Sequence, residues 1–269
     1  MNNSNYHLST GVVSLDRLLG GGVQTGIHVV ISGESGSGYT ELVRTILTTI
    51  VSISNTNSDD KPAVIGYISA TKPFYELQSE LLELSPDISL ENIKFLDLSP
   101  ATFLGSVVPQ RWVLDDEERL NEIASIGRGE LIQELIVQFL ETLPPNSVVF
   151  LDFVPQLSSL GNIVEWDDLI LLLYGVRRLA HDQNHIVFTI SDHIALGKKR
   201  EEQVAMTAEG VINLEWEEIT AYQRQRIMYI RNWPGLSFSQ EDGSAMKFSI
   251  SYSKKTGFEV STVRQIMGR

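Results

Sequence analysis

The sequence predicts an α/β protein with a mainly parallel central sheet, helices on its faces and antiparallel strands added at one side. Three observations carry that prediction. Apolar runs of strand length alternate with helical stretches from Ile27 to Ile190, and the first run leads into a glycine-rich segment. From Val211 onward shorter runs follow one another with only turns between them. Strand–helix alternation gives a parallel sheet, and a succession of strands without crossover helices gives antiparallel pairing.

Residues Ile27 to Ile31 form a buried-strand run, followed by the glycine segment and then by a helical stretch, Thr40 to Val51. Ser52 to Lys61 is rich in Ser, Asn and Asp without periodicity and reads as a loop. A strand over Ala63 to Ser69, a helix over Phe74 to Leu84 and a strand over Ile93 to Leu98 come next. The stretch from Ser99 to Gly129 holds Pro100, Gly105, Pro109 and the acidic run Asp115 to Glu118, and is expected to be an irregular insertion. A helix over Glu130 to Thr142 then stops at Pro144-Pro145.

Val148 to Leu151 is a further buried strand, with Asp152 at its carboxyl end. Trp166 to Gln183 has the spacing of a long amphipathic helix, with Asp167 and Asp168 in the first turn where they suit the dipole. Ile186 to Ile190 is the next strand. The terminal strands are placed at Val211 to Trp216, Arg224 to Asn232, Met246 to Tyr252 and Phe258 to Ser261. A single domain over residues 1–269 is expected, with the insertion at 99–129 and the antiparallel strands at 211–261.

Composition excludes several functions. The chain has 269 residues, 42% apolar and 20% charged, which suits a soluble globular protein. Zero cysteines rule out disulfides, thiolate metal sites and cysteine nucleophiles. Five scattered histidines argue against zinc. No apolar run reaches the roughly 20 residues of a membrane helix, and Met1 to Thr10 has neither the basic start nor the apolar core of a secretory signal. A cytoplasmic protein without membrane contact is expected. The net charge of −13 opposes non-specific attraction to nucleic acid. The acidic excess, with Arg outnumbering Lys, also suits a salt-rich cytoplasm.

The motif with the most chemistry is Gly33-Glu34-Ser35-Gly36-Ser37-Gly38-Tyr39-Thr40, which fits G-x-x-x-x-G-K-[ST] at every fixed position except the lysine, replaced by Tyr39. In an intact loop backbone amides and the helix N-terminus hold phosphates, lysine neutralises charge, and the Ser or Thr hydroxyl ligates magnesium. Gly33, Gly36 and Gly38 retain the means for the backbone part, and Thr40 the hydroxyl. Two readings stand: lysine-free binding of ATP or ADP with magnesium on the Thr40 hydroxyl, or a vestigial turn with Tyr39 packed over it. Glu34 inside the loop is expected to sit near any bound phosphate and repel it, although Glu is tolerated at that variable position in related loops.

The opening segment Ser9-Thr10-Gly11-Val12-Val13-Ser14-Leu15-Asp16-Arg17-Leu18-Leu19-Gly20-Gly21-Gly22-Val23-Gln24-Thr25-Gly26 resembles the first motif of KaiC-like proteins of the RecA superfamily. Val148 to Asp152 resembles their Walker B strand, and Ala208-Glu209-Gly210-Val211-Ile212 a later strand. A group of haloarchaeal HTR-like proteins with similarly degraded loops is resembled at Phe95 to Ser99, Pro109 to Trp112, Trp166 to Asp168 and Gly257 to Arg264. The resemblance implies a RecA-type P-loop NTPase fold, an archaeal cytoplasm, magnesium at Asp152, and assembly with itself or with other KaiC-like subunits.

It also implies two losses. Active relatives carry glutamates after the second strand, where this chain has Ser69-Ala70-Thr71-Lys72-Pro73. They also insert a K-x-R pair from a neighbouring subunit, where this chain has Asn232 and Pro234 with Arg231 beside them. Lys72 is either a relocated phosphate cation or a solvated loop lysine. Lys198-Lys199-Arg200 is either a DNA contact or a solvated helix face, and Trp216, Tyr222, Tyr229 and Trp233 are interface anchors or core. No catalytic residue is assigned. A catalytically degenerate regulatory or scaffolding subunit is expected, with a slow magnesium-dependent ATPase and a DNA-repair accessory like the recombinase paralogues as alternatives.

Overall fold

A computed structural model describes residues 6–56, 61–113, 128–160, 164–220, 223–236, 246–253 and 257–262. Its centre is a nine-stranded sheet. In chain order the first elements are the two-residue strands β1 (His7–Leu8) and β2 (Val23–Gln24), which pair antiparallel with each other around α1 (Val13–Leu18). The main sheet is built from β3 (Ile27–Gly33), β4 (Ile65–Ser69), β5 (Ile93–Asp97), β6 (Val148–Asp152), β7 (Ile186–Asp192), β8 (Gly210–Thr220), β9 (Gln223–Asn232), β10 (Met246–Ser253) and β11 (Gly257–Thr262). Their spatial order is β11-β10-β9-β8-β3-β7-β6-β4-β5.

Strands β8 to β5 across that order pair in parallel, and β9, β10 and β11 are added antiparallel at one edge. The central strands are mostly apolar because helices cover both faces: every residue of β3 and β4 is buried. One face packs under α2 (Tyr39–Ser54) and α3 (Phe74–Leu84), with Leu42, Ile46 and Ile50 of α2 buried. The other packs under α5 (Arg128–Glu141) and α7 (Trp166–Gln183), through Ile132, Ile136, Leu173 and Val176. Phe150 and Phe188 stack across β6 and β7 at 5.0 Å.

The expected insertion is only partly irregular. Its described residues contain a short helix α4 (Ser99–Phe103), with proline in its first turn, and a 3-10 turn at Gln110–Trp112 held by a hydrogen bond from the Gln110 side chain to the Phe103 carbonyl. Proline suits the first helical turn, so Pro100 begins structure there. The acidic run Asp115 to Glu118 and residues 57–60 of the loop expected at 52–61 lie outside the described residues. Two further short helices, α6 (Val154–Ser158) and α8 (His193–Leu196), were not expected, and α9 (Lys198–Met206) carries Lys198-Lys199-Arg200 on a helix, as one of the two readings of that cluster has it. No described helix is long and apolar enough to cross a membrane.

The opening motif is structural. The Asp16 carboxylate accepts hydrogen bonds from the Thr10 amide (2.8 Å), the Thr10 hydroxyl (2.6 Å) and the Ser9 hydroxyl (2.6 Å). Gly11, at φ +78°, lies so close to α2 that a Cβ would sit 2.0 Å from the Thr49 hydroxyl. The segment thus clamps the helix that follows the glycine loop.

Candidate functional site

The glycine segment leaves the carboxyl end of β3 and runs into the N-terminus of α2, at the end of the parallel sheet where α/β proteins bind ligands. Gly36 (φ +76°) and Gly38 (φ +105°) adopt left-handed backbone, the conformation that turns successive amides into an anion-binding concavity. The loop is also tied to itself, since the Ser37 amide donates to the Glu34 carbonyl at 2.9 Å.

Its outer side is braced by the late strands. The Glu34 carboxylate accepts the backbone N–H of Trp216 on β8, and the Trp216 indole donates to the Ser35 carbonyl at 3.4 Å. Glu34 therefore points away from the loop interior, contrary to the sequence expectation, because an orphan strand amide is a better partner for it than open solvent. Arg226 of β9 lies over the Trp216 ring at 5.2 Å and 3.7 Å from the Glu41 carboxylate. A Cβ on Gly38 would meet Ile250 of β10 at 3.2 Å.

The inner side opens into a cleft of about 370 Å³. Tyr39, in the lysine's place, folds its ring back over the loop: a Cβ on Gly33 would lie 2.6 Å from the ring. Burial pushes the Tyr39 phenol up to about 12, with Asp192, Asp152 and Glu41 adding to the rise, so it stays neutral and supplies no cation. The Tyr67 hydroxyl donates to Asp152 at 2.9 Å, and burial raises the Asp152 carboxyl above the usual range. Thr40 is exposed and its hydroxyl donates to Glu41 at 2.9 Å.

Lys72 also lines this cleft, bonded to Glu80 at 3.0 Å, and Arg44 reaches the same carboxylate at 3.8 Å. Lys72 is thus neither a free phosphate cation nor a solvated loop lysine; α3 holds it. The sequence-predicted Tyr39, Thr40, Lys72 and Asp152 are brought to one cavity. Arg44, Tyr67, Glu80, Ser191 and Asp192 join them unforeseen. Asp192 had a signal, being a carboxylate at a strand's carboxyl end like Asp152.

The backbone of the loop fits a phosphate, and the side chains do not. Two cations, Arg44 and Lys72, face three carboxylates, Glu80, Asp152 and Asp192, and both cations are engaged by Glu80.

Comparison with protein-family models and with curated proteins gives no match. Among solved structures, the crystal structure of a KaiC-like protein from the hyperthermophilic archaeon Pyrococcus horikoshii superposes with a TM-score of 0.61 at 15% identity, over 95% of this chain and 99% of that one. The chain has a KaiC-like, RecA-type fold.

Within that KaiC-like fold the remaining candidates are occupied by intrachain contacts. Arg231 forms ion pairs with Glu201 (3.0 Å) and Glu202 (2.8 Å) of α9. Arg200 donates to the Ser158 carbonyl and stacks over Trp166 at 4.8 Å, leaving Lys198 and Lys199 as the exposed part of the basic cluster. Trp233 is core, packed on Gly210; Tyr229 is overlain by Lys247 at 5.9 Å; Trp216 covers the glycine loop. Tyr222 lies outside the described residues.

Proposed function

We propose that this protein is a catalytically degenerate KaiC-like subunit that binds ATP weakly or not at all and acts as a regulatory or scaffolding component, with copies of itself or with other KaiC-like subunits. The observation that carries this reading is Tyr39: a neutral ring lies over the loop where a cation is needed, beside a cleft whose two cations are engaged by Glu80. The segment after β4 supports it, because Ala70 to Pro73 supplies no carboxylate to orient water and its Lys72 amide donates to the Ser69 hydroxyl at the strand's end at 2.8 Å. Losing one such electrostatic group costs about two to three powers of ten in rate.

A slow magnesium-dependent ATPase is the second reading, favoured by Lys72 and Arg44 sharing a cavity with Asp152. When bound, magnesium with nucleotide would supply charge neutralisation; Thr40 and Asp152 are the residues that would hold the ion. Phosphate release by the purified protein separates the readings. No turnover above background is expected, with or without Asp152→Ala. Turnover abolished by Asp152→Ala would overturn the proposal. Calorimetry with ATP and magnesium, read beside the mass in solution, tests the assembly role.

A further inference from the structure

Beside the cleft just described lies a second concavity of about 300 Å³, at the carboxyl ends of β4 and β5. It is lined by Tyr75 in the first turn of α3, Trp112 in the 3-10 turn, and the acidic residues Glu76 and Asp97. Among the described residues no basic side chain lines it. Trp112 is 72% exposed and Tyr75 69% exposed, a large apolar area for two aromatic side chains to leave in water.

The treatment of the other tryptophans makes Trp112 unusual. Trp166 and Trp216 are each covered by an arginine of the same chain, and Trp233 is buried. Among the described residues no cation covers Trp112 or Tyr75, and Glu76 has no ion-pair partner. One Asp97 oxygen accepts the Ser99 amide and hydroxyl, at 2.8 and 2.5 Å, leaving the other without a hydrogen bond among the described residues. Aromatic faces attract cations, and unpaired carboxylates beside them add charge of the complementary sign. The turn that carries Trp112 is pinned by the Gln110 side chain, so the wall is preorganised.

We propose that this cleft is a binding site for a cationic side chain, an arginine or lysine presented by a basic segment of a partner protein. The cationic head meets the exposed rings of Tyr75 and Trp112 and the carboxylates of Glu76 and Asp97, which line the same concavity. The overall charge of −13 draws basic partners toward the molecule, and this concavity is where the geometry holds one. The proposal does not depend on the fate of the nucleotide site.

The test is calorimetric titration of the whole protein with a ten-residue peptide carrying two arginines, beside the same peptide with citrulline at both positions. Saturable binding of the arginine peptide alone is expected, weakened about tenfold by Trp112→Ala or Tyr75→Ala, as losing a desolvated cation–π contact implies. Both variants keep the net charge, and circular dichroism checks that these exposed positions leave the fold intact. Binding that Trp112→Ala and Tyr75→Ala leave unchanged is general attraction to an acidic surface and overturns the proposal. So does the absence of binding, or equal binding of the citrulline peptide. Self-association that Trp112→Ala abolishes, without peptide binding, assigns the cleft to a second copy and also overturns it.

Discussion

The two sides of the glycine loop differ in what holds them. The outer side is locked by Glu34 on the Trp216 amide, Arg226 on the Trp216 ring and Ile250 against Gly38. The inner side has Tyr39 where the motif calls for lysine and cations consumed by Glu80. A loop shaped by its ligand would lose its form when the ligand's contacts went. Here the left-handed glycines persist because the late strands pack against them, so the loop's shape and its chemistry are separable.

The sharpest way to break that contrast is to remove the outer brace. Ile250→Ala, at a side chain 6% exposed, is expected to cost about 2–5 kcal/mol in chemical denaturation. Next, Glu34→Ala leaves the Trp216 amide without its acceptor and is expected to cost about 1–3 kcal/mol, with faster hydrogen exchange at that amide. On the inner side Tyr39→Lys replaces a half-buried ring packed against the core and is expected to cost about 1 kcal/mol, the centre of the range for single substitutions. If Tyr39→Lys unfolds the protein while Glu34→Ala does not, the contrast is reversed.

The smallest effect belongs to Asp152. Its folded carboxyl holds a proton more readily than the unfolded one, because burial disfavours the charge. The ionised carboxylate therefore destabilises the fold above that raised value, and the penalty fades as pH falls through it. Asp152→Asn is expected to raise the melting temperature slightly near neutral pH, with the two curves converging in acid. A gain that grows on acidification would contradict it.

Regular periodicity made much of the fold legible. Phe74–Leu84 and Trp166–Gln183 are helices with the bounds that their apolar spacing gives, and the parallel core strands follow their apolar runs. The short helices at Val154–Ser158 and His193–Leu196 were not legible, because four or five residues complete little more than one helical turn. At the site, Asp152 was visible as a strand-end carboxylate. Glu34 was misread because its partner lies 182 residues away, and the Arg44–Glu80–Lys72 group depends on α2 and α3 packing side by side. Contacts of that range leave no local pattern.

The hydrogen bond from the Ser37 amide to the Glu34 carbonyl makes the loop a competitor for its own donors. An anion that needed this amide would bind only the fraction of molecules in which the turn has opened, and its apparent affinity would fall by that fraction. Restoring a lysine at position 39 adds charge but leaves this equilibrium in place. Recovery of full affinity therefore requires a second change that opens the turn, and the two changes would act more strongly together than apart.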